Sequence, residues 1–246
     1  MTKNKYVDFV SDKDFEKCVK HVIDAYKEET ILEDKELQKN GIDAIKMTFD
    51  MWLDNNNFKK WRIKESARQK DKTLGNRIGE FHQMLLGKVD GWTDLGEGDE
   101  TKLDLKKDDN TIFIELKNKF NTINSTSGAG TRKNLLEQIK KHDAKGYFGY
   151  FIDKNGISEE TEWVMKKGDN HKNLKRISGG KLYEMITEKE NALEQVWSAL
   201  PLALKNINKN TNPLTKKEQL EFKKWFDLAY KRKPKVKKKS KVKKDN

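Results

Sequence analysis

The sequence predicts an α/β fold, a mixed central sheet flanked by helices with a helical N-terminal region. Three observations carry this. Apolar residues recur at helical spacing through the first third of the chain. The period drops to two in the middle, where Thr111–Lys117 alternates cleanly. A short aromatic run, Gly146–Ile152, then follows a further helical stretch, giving the order strand, helix, strand.

Ser11 followed by Asp14 reads as a helix N-cap, and Phe15, Val19, Val22, Ile23 and Tyr26 continue the helix. Ile42, Ile45, Phe49, Trp52 and Leu53 predict a second amphipathic helix, opened by Gly41. A third runs from about Lys72 to Val89 on an apolar face of Leu74, Ile78, Phe81, Leu85 and Val89, with Gly91 as its stop. Lys102–Leu105 and Thr111–Lys117 predict two strands joined through Asp108, Asp109 and Asn110. A polar loop is expected over Asn118–Thr131, a helix from about Arg132 to Asp143, and a strand at Glu162–Lys166. Helices over about Lys181–Leu200 and Lys216–Tyr230 complete the pattern.

Composition bounds the class. The chain has 246 residues, 34% of them hydrophobic, with 6 Trp and 11 Phe, which is enough for a packed core. No apolar run approaches the roughly 20 residues that span a bilayer, and Met1–Phe9 is polar, so no membrane or secretory role is expected. The single cysteine, Cys18, forms no disulfide within the chain and no zinc spacing exists, which predicts a reducing, cytoplasmic setting. Of the net charge of +12, nine units lie in Lys231–Asn246, which holds ten Lys/Arg and one Asp. Such a tail attracts polyanions, or simply remains a disordered, solvated end.

One segment carries chemistry. Asp104 lies between Leu103 and Leu105, and Glu115 between Ile114 and Leu116. On alternating strands each carboxylate points away from its apolar neighbours, and Lys117 shares the face of Glu115. A two-residue turn at Asp109–Asn110 makes paired positions sum to 219 and sets Asp104 opposite Glu115. Two carboxylates that close repel unless a cation sits between them, and Mg²⁺ suits oxygen ligands. Lys117 adjoins them and could stabilise charge on a phosphate or position the attacking water. Two carboxylates and a lysine are what phosphodiester hydrolysis needs. The same residues could equally be charges on a solvated strand face. On the preceding helix, Glu80 is a further acid able to reach the pair, or a surface glutamate. His82 reads as a packed histidine rather than a general base.

The run Ile78-Gly79-Glu80-Phe81-His82-Gln83-Met84-Leu85-Leu86-Gly87, then Asp104, then Ile114-Glu115-Leu116-Lys117-Asn118-Lys119-Phe120-Asn121-Thr122, resembles type II restriction endonucleases of the PD-(D/E)xK nuclease fold. Within them it is similar to the subgroup that cuts GGNCC or GGWCC sites. The resemblance runs from about Gly75 to Leu200. It implies that Asp104, Glu115 and Leu116 hold Mg²⁺, that Lys117 assists hydrolysis and that Glu80 is an extra catalytic acid. Leu103 stands where the signature has proline, which weakens the choice of Asp104 over Asp99, Asp108 and Asp109. DNA contacts are expected from Asn118, Lys119, Asn121, Thr122, Asn124, Ser125, Thr126 and Ser127, with Gly128 and Gly130 allowing close approach. Arg132 and Lys133, and beyond them Lys172, Lys175 and Arg176, are candidates for guanine edges. Gln138 is expected near the site.

The resemblance further implies double-stranded DNA as substrate, a homodimer reading a short palindrome, and a cognate DNA methyltransferase as functional partner. Dimer surfaces are expected in the N-terminal third and the later helices. The implied layout is one nuclease domain over residues 1–230. It comprises a helical part at about 1–70, a catalytic core at about 72–200 and a helix at about 215–230, with the basic tail beyond. Two rival readings share these residues: a repair or structure-specific nuclease of the same fold, and a DNA-binding protein without catalysis.

Overall fold

The computed structural model describes residues 4–26, 31–54, 57–123, 125–164, 170–208 and 214–231. Ser11 caps α1 (Asp12–Ile23) by accepting the Asp14 amide at 3.1 Å, as expected, and Phe15, Cys18 and Val19 are buried along it. A short helix without apolar period, α2 (Asp34–Lys39), was not legible; it buries only Leu37. Asp43, rather than Gly41, opens α3 (Ala44–Leu53) by accepting the Ile45 and Lys46 amides.

The third expected helix is longer than its apolar pattern. As α4 it spans Phe58–Leu86, capped by Asn57. Its first half escaped notice because the face it buries is largely polar. Ser66 accepts the Leu32 amide, Gln69 donates to the Leu37 carbonyl, and Glu65 binds Arg68 and Gln69. Hydrogen bonds, rather than apolar periodicity, attach residues 31–40 to this helix.

Strands β1 (Trp92–Asp94), β2 (Leu105–Lys107) and β3 (Ile112–Lys119) form an antiparallel meander. Helix α5 (Ser125–His142) then crosses over to β4 (Lys145–Ile152), which is parallel to β3. Beyond it lie β5 (Glu160–Glu162) and β6 (Leu174–Ser178), in the sheet order β1-β2-β3-β4-β6-β5. The expected strand at Glu162–Lys166 is displaced to Glu160–Glu162, and its last two residues lie outside the described ones. β1 and β6 were not expected; β1 has three residues, too few to show a period. The expected helix at Lys181–Leu200 is two, α6 (Gly179–Thr187) and α7 (Ala192–Ile207), broken where Glu188 turns left-handed at φ 59°. The last helix, α8 (Lys216–Tyr230), matches expectation and opens with a capping box between Thr215 and Glu218.

Both faces of this mixed sheet are covered. On one, Leu105, Ile114, Leu116, Tyr147 and Phe151 pack against Phe15, Phe81, Leu85 and Tyr183 of the α1, α4 and α6 layer. On the other, Phe113, Phe148 and Tyr150 pack against Leu135 and Ile139 of α5. β4 is thus buried on both sides, the condition of a central parallel strand. Among the described residues no helix is long and apolar enough to cross a membrane.

Gly156, at φ +69°, locks the turn after β4 onto α8: a Cβ there would sit 2.0 Å from the Leu228 carbonyl oxygen. Ser158 Oγ donates to the Tyr230 carbonyl beside it at 2.7 Å. Gly156→Ala is expected to lower unfolding stability by about 1–3 kcal/mol, measured by urea denaturation.

Candidate active site

The chemistry-bearing residues are positioned by the β2–β3 hairpin. Asn110 turns left-handed at φ 57° and its amide donates to the Lys107 carbonyl, closing the turn. Asp109 accepts the Thr111 amide and hydroxyl. Leu105 then faces Ile114 and Lys106 faces Phe113, so paired numbers sum to 219. Asp104 lies one step beyond the ladder. Its amide donates to the Ile114 carbonyl at 3.0 Å, and its Oδ2 accepts the Leu116 amide at 2.5 Å. The carboxylate is thereby pinned to the strand that carries Glu115.

Alternation turns Glu115 and Lys117 to the α5 side of the sheet, the side of Phe113. Glu115 is 8% exposed, and Lys117 Nζ donates to its Oε1 at 2.5 Å. Burial pushes the Glu115 carboxyl up, the Asp104 charge adds to this, and Lys117 opposes it. Asp104 is also raised by burial and by Asp94, against the Leu116 hydrogen bond and Lys117. The result is a like-charged pair, Glu115 buried and Asp104 half-buried, that one ammonium only partly compensates. Asp94, on β1, is an acid that the sequence did not single out, because its strand is so short; it accepts from Gln83 at 2.7 Å. Among the described residues no three His, Cys, Asp or Glu converge as a metal-binding group. The carboxylates of Asp104 and Glu115 are the acidic oxygens that the hairpin brings together, with the Leu116 N–H directed at Asp104.

The rival acids have local duties. Asp99 accepts from Thr101, Asp108 from the Thr93 hydroxyl, and Asp109 from Thr111.

Glu80 is held elsewhere, on the helix that covers the opposite face. Its Oε2 pairs with His21 Nε2 at 2.5 Å and Arg77 at 2.7 Å. Burial raises its carboxyl, but these two partners outweigh that and hold it below the usual range. Neither Asp104 nor Glu115 is among its partners. His82 is packed as expected, stacked on Phe151 at 4.0 Å with Nδ1 2.6 Å from the Tyr183 hydroxyl. Burial drives its pKa down to about 3.

The expected DNA-contact segment divides. β3 continues through Lys119, and α5 begins at Ser125, so only a short loop separates them. Ser125, Ser127, Gly128 and Gly130 lie in the first turns of the helix rather than in a loop. Their low intrinsic helix propensity had suggested otherwise, but Leu135 and Ile139 anchor the helix from below. Lys119, Asn121, Thr122 and Ser127 are exposed. Asn124 lies outside the described residues. Asn118 points to the other face, where its amide donates to the Gly75 carbonyl at 3.3 Å. Gln138 is buried beside Leu135 and Ile139, on the α5 face that covers Phe113. Lys133 is exposed, 3.9 Å from Glu137. Lys172 is exposed too, while Lys175 is paired with Glu160.

Arg132 departs from the expectation of a base-reading residue. It is buried, donates to the Trp163 carbonyl at 2.6 Å and lies 5.5 Å from that indole ring, with Arg176 also 5.3 Å from the ring. Arg132→Met is expected to lower unfolding stability by about 1–3 kcal/mol, because a buried carbonyl loses its donor. Denaturant titration checks this.

Residues 7–209 match the profile of the Eco47II restriction endonuclease family. The chain is 34% identical over 215 residues to the type II restriction enzyme Sau96I of Staphylococcus aureus, covering 82% of this chain and 80% of that one. It is 30% identical over 238 residues to the type II restriction enzyme Eco47II of Escherichia coli, covering 91% and 98%. With most of its length matched to the family and to both relatives, this chain belongs to the Eco47II restriction endonuclease family of type II restriction enzymes.

Proposed function

We propose that the protein is a Mg²⁺-dependent site-specific deoxyribonuclease with a PD-(D/E)xK core, cutting both strands of duplex DNA at a short palindrome of the GGNCC or GGWCC kind. The observation that carries it is the pairing of half-buried Asp104 with buried Glu115, with Lys117 Nζ at 2.5 Å from Glu115. Two adjacent carboxylates raised by burial and repulsion fit a divalent cation, whose charge would relieve both. Asp104, Glu115 and the Leu116 backbone would hold it. When bound, Mg²⁺ supplies activation of water and neutralisation of phosphate charge.

The chain's own residues supply the rest. The Leu116 amide fixes the Asp104 rotamer, and the hairpin register keeps Glu115 beside it. Lys117, whose Nζ donates to Glu115 at 2.5 Å, would be placed to donate to a non-bridging phosphate oxygen as charge develops there. Lys119, Asn121, Thr122, Ser127 and Lys133 form the exposed surface next to this site and are proposed to contact DNA. Glu80 is assigned to the His21–Arg77 cluster instead. A homodimer would bring two such sites to the two strands, and a methyltransferase of matching specificity would protect the host's own sites.

Plasmid DNA incubated with the protein in Mg²⁺ and in EDTA tests the reading. Discrete Mg²⁺-dependent fragments with symmetric ends are expected. A smear, or preference for branched DNA, would favour a repair nuclease, and tight retention without cutting would favour a non-catalytic binder.

A further inference from the structure

Helix α3 buries no side chain, although it carries the most apolar stripe of the N-terminal region. Ile45, Phe49, Trp52 and Leu53 share one face at positions i, i+4, i+7 and i+8. They are 72%, 59%, 75% and 77% exposed. With a large aromatic side chain carrying ~150–250 Å², this stripe leaves on the order of 600 Å² of apolar surface in water. That is most of the ~800 Å² per partner of a standard interface.

Among the described residues nothing covers it. DNA is an unsuitable occupant. Along α3 Asp50 balances Lys46, and the residues at its two ends are Asp43 and Asp54, so the face offers no net positive charge to a phosphate backbone. The flanking charges are already satisfied: Lys46 pairs with Asp50, and Lys64 with Asp54 at 2.9 Å. A rim of internally paired charges lets two identical surfaces approach with little repulsion.

We infer that α3 packs against α3 of a second copy, forming the two-fold interface of the dimer. This rests on the homodimer in the proposed function and assigns its surface.

Sedimentation velocity of the full chain without DNA, beside Trp52→Glu and Leu53→Lys variants, tests it. The wild type is expected to sediment as a dimer at micromolar concentration. Each variant is expected to weaken the dimer by ~30-fold or more, as loss of a central anchor does, with its helical content by circular dichroism unchanged. A dimer unaltered in both variants would overturn the α3 assignment while leaving the homodimer standing. A monomeric wild type would overturn both and leave α3 to a different protein. Hydrogen exchange of the wild-type α3 amides needs no variant: protection that rises with protein concentration is expected, and its absence overturns the assignment.

Discussion

Lys117→Met is expected to reduce single-turnover DNA cleavage in saturating Mg²⁺ by about 10²–10³-fold, the usual cost of removing one charge-stabilising donor. Methionine keeps the length of the side chain, so the strand should pack as before. DNA affinity at low salt should change little, since one ammonium is a small part of the contact made by a chain of net charge +12. The effect should fall on the rate of the chemical step. Lys117→Arg should recover only part of it, because a planar guanidinium does not reproduce the point charge that meets Glu115 at 2.5 Å. Unchanged single-turnover rates for Lys117→Met would remove the lysine from the reaction.

Asp104→Asn is expected to do two opposite things. Cleavage should fall by on the order of 10³-fold, since a neutral amide is a poor ligand for a hard cation. Stability in EDTA should rise. The amide oxygen can still accept the Leu116 amide, while the repulsion with Glu115 disappears. The pH dependence has a definite sign. Asp104 and Glu115 are both raised above their ordinary values in the fold. Between the unfolded and folded values the folded chain holds more protons, so the stability of the wild type falls as pH rises through that window. Thermal midpoints of wild type and variant should therefore be closest below the ordinary carboxylate range and diverge toward neutral pH. Mg²⁺ should stabilise the wild type in its place and have little effect on the variant. Protons and the cation compete for the same oxygens, so cleavage should also decline as pH falls into the raised range. Midpoints that differ equally at all pH values would show that the pair is not repulsive.

The hairpin register was legible because two local signals agree. Asp109–Asn110 is a strong turn, and Ile112 to Lys117 alternates without a break, so a slip of one residue would have turned Lys117 into the Phe81–Leu85 core and Ile114 to the α5 side. The aromatic run at β4 was legible for a related reason: it is buried on both faces and so reads as continuous. Elsewhere the signal was ambiguous or absent. The first half of α4 buries Glu65, Ser66 and Gln69, whose fixing interactions are hydrogen bonds with no apolar period. The start of α5 is rich in Ser and Gly, and only its later turns show which face is anchored. The stripe of α3 was read correctly as amphipathic, but no sequence pattern says whether such a face meets its own core or is left exposed. At the site, the facing of Glu115 and Lys117 followed from alternation along β3, whereas Asp104 precedes β2 and its neighbours Leu103 and Leu105 enter different cores, so alternation did not place it. The placement of Glu80 did not follow either, because which face of the sheet a preceding helix covers is a property of the whole fold. The same holds for Arg132, whose partner Trp163 lies 31 residues away.

Glu80 and Glu115 separate the account from its nearest alternative. The decisive measurement is the single-turnover rate of plasmid cleavage in Mg²⁺ by the wild type, Glu115→Gln and Glu80→Gln under identical conditions. Glu115→Gln should be slowed by on the order of 10³-fold or more, and Glu80→Gln should stay within about tenfold of the wild type. A fully active Glu115→Gln beside an inactive Glu80→Gln would contradict the assignment of cleavage to the Asp104–Glu115–Lys117 site.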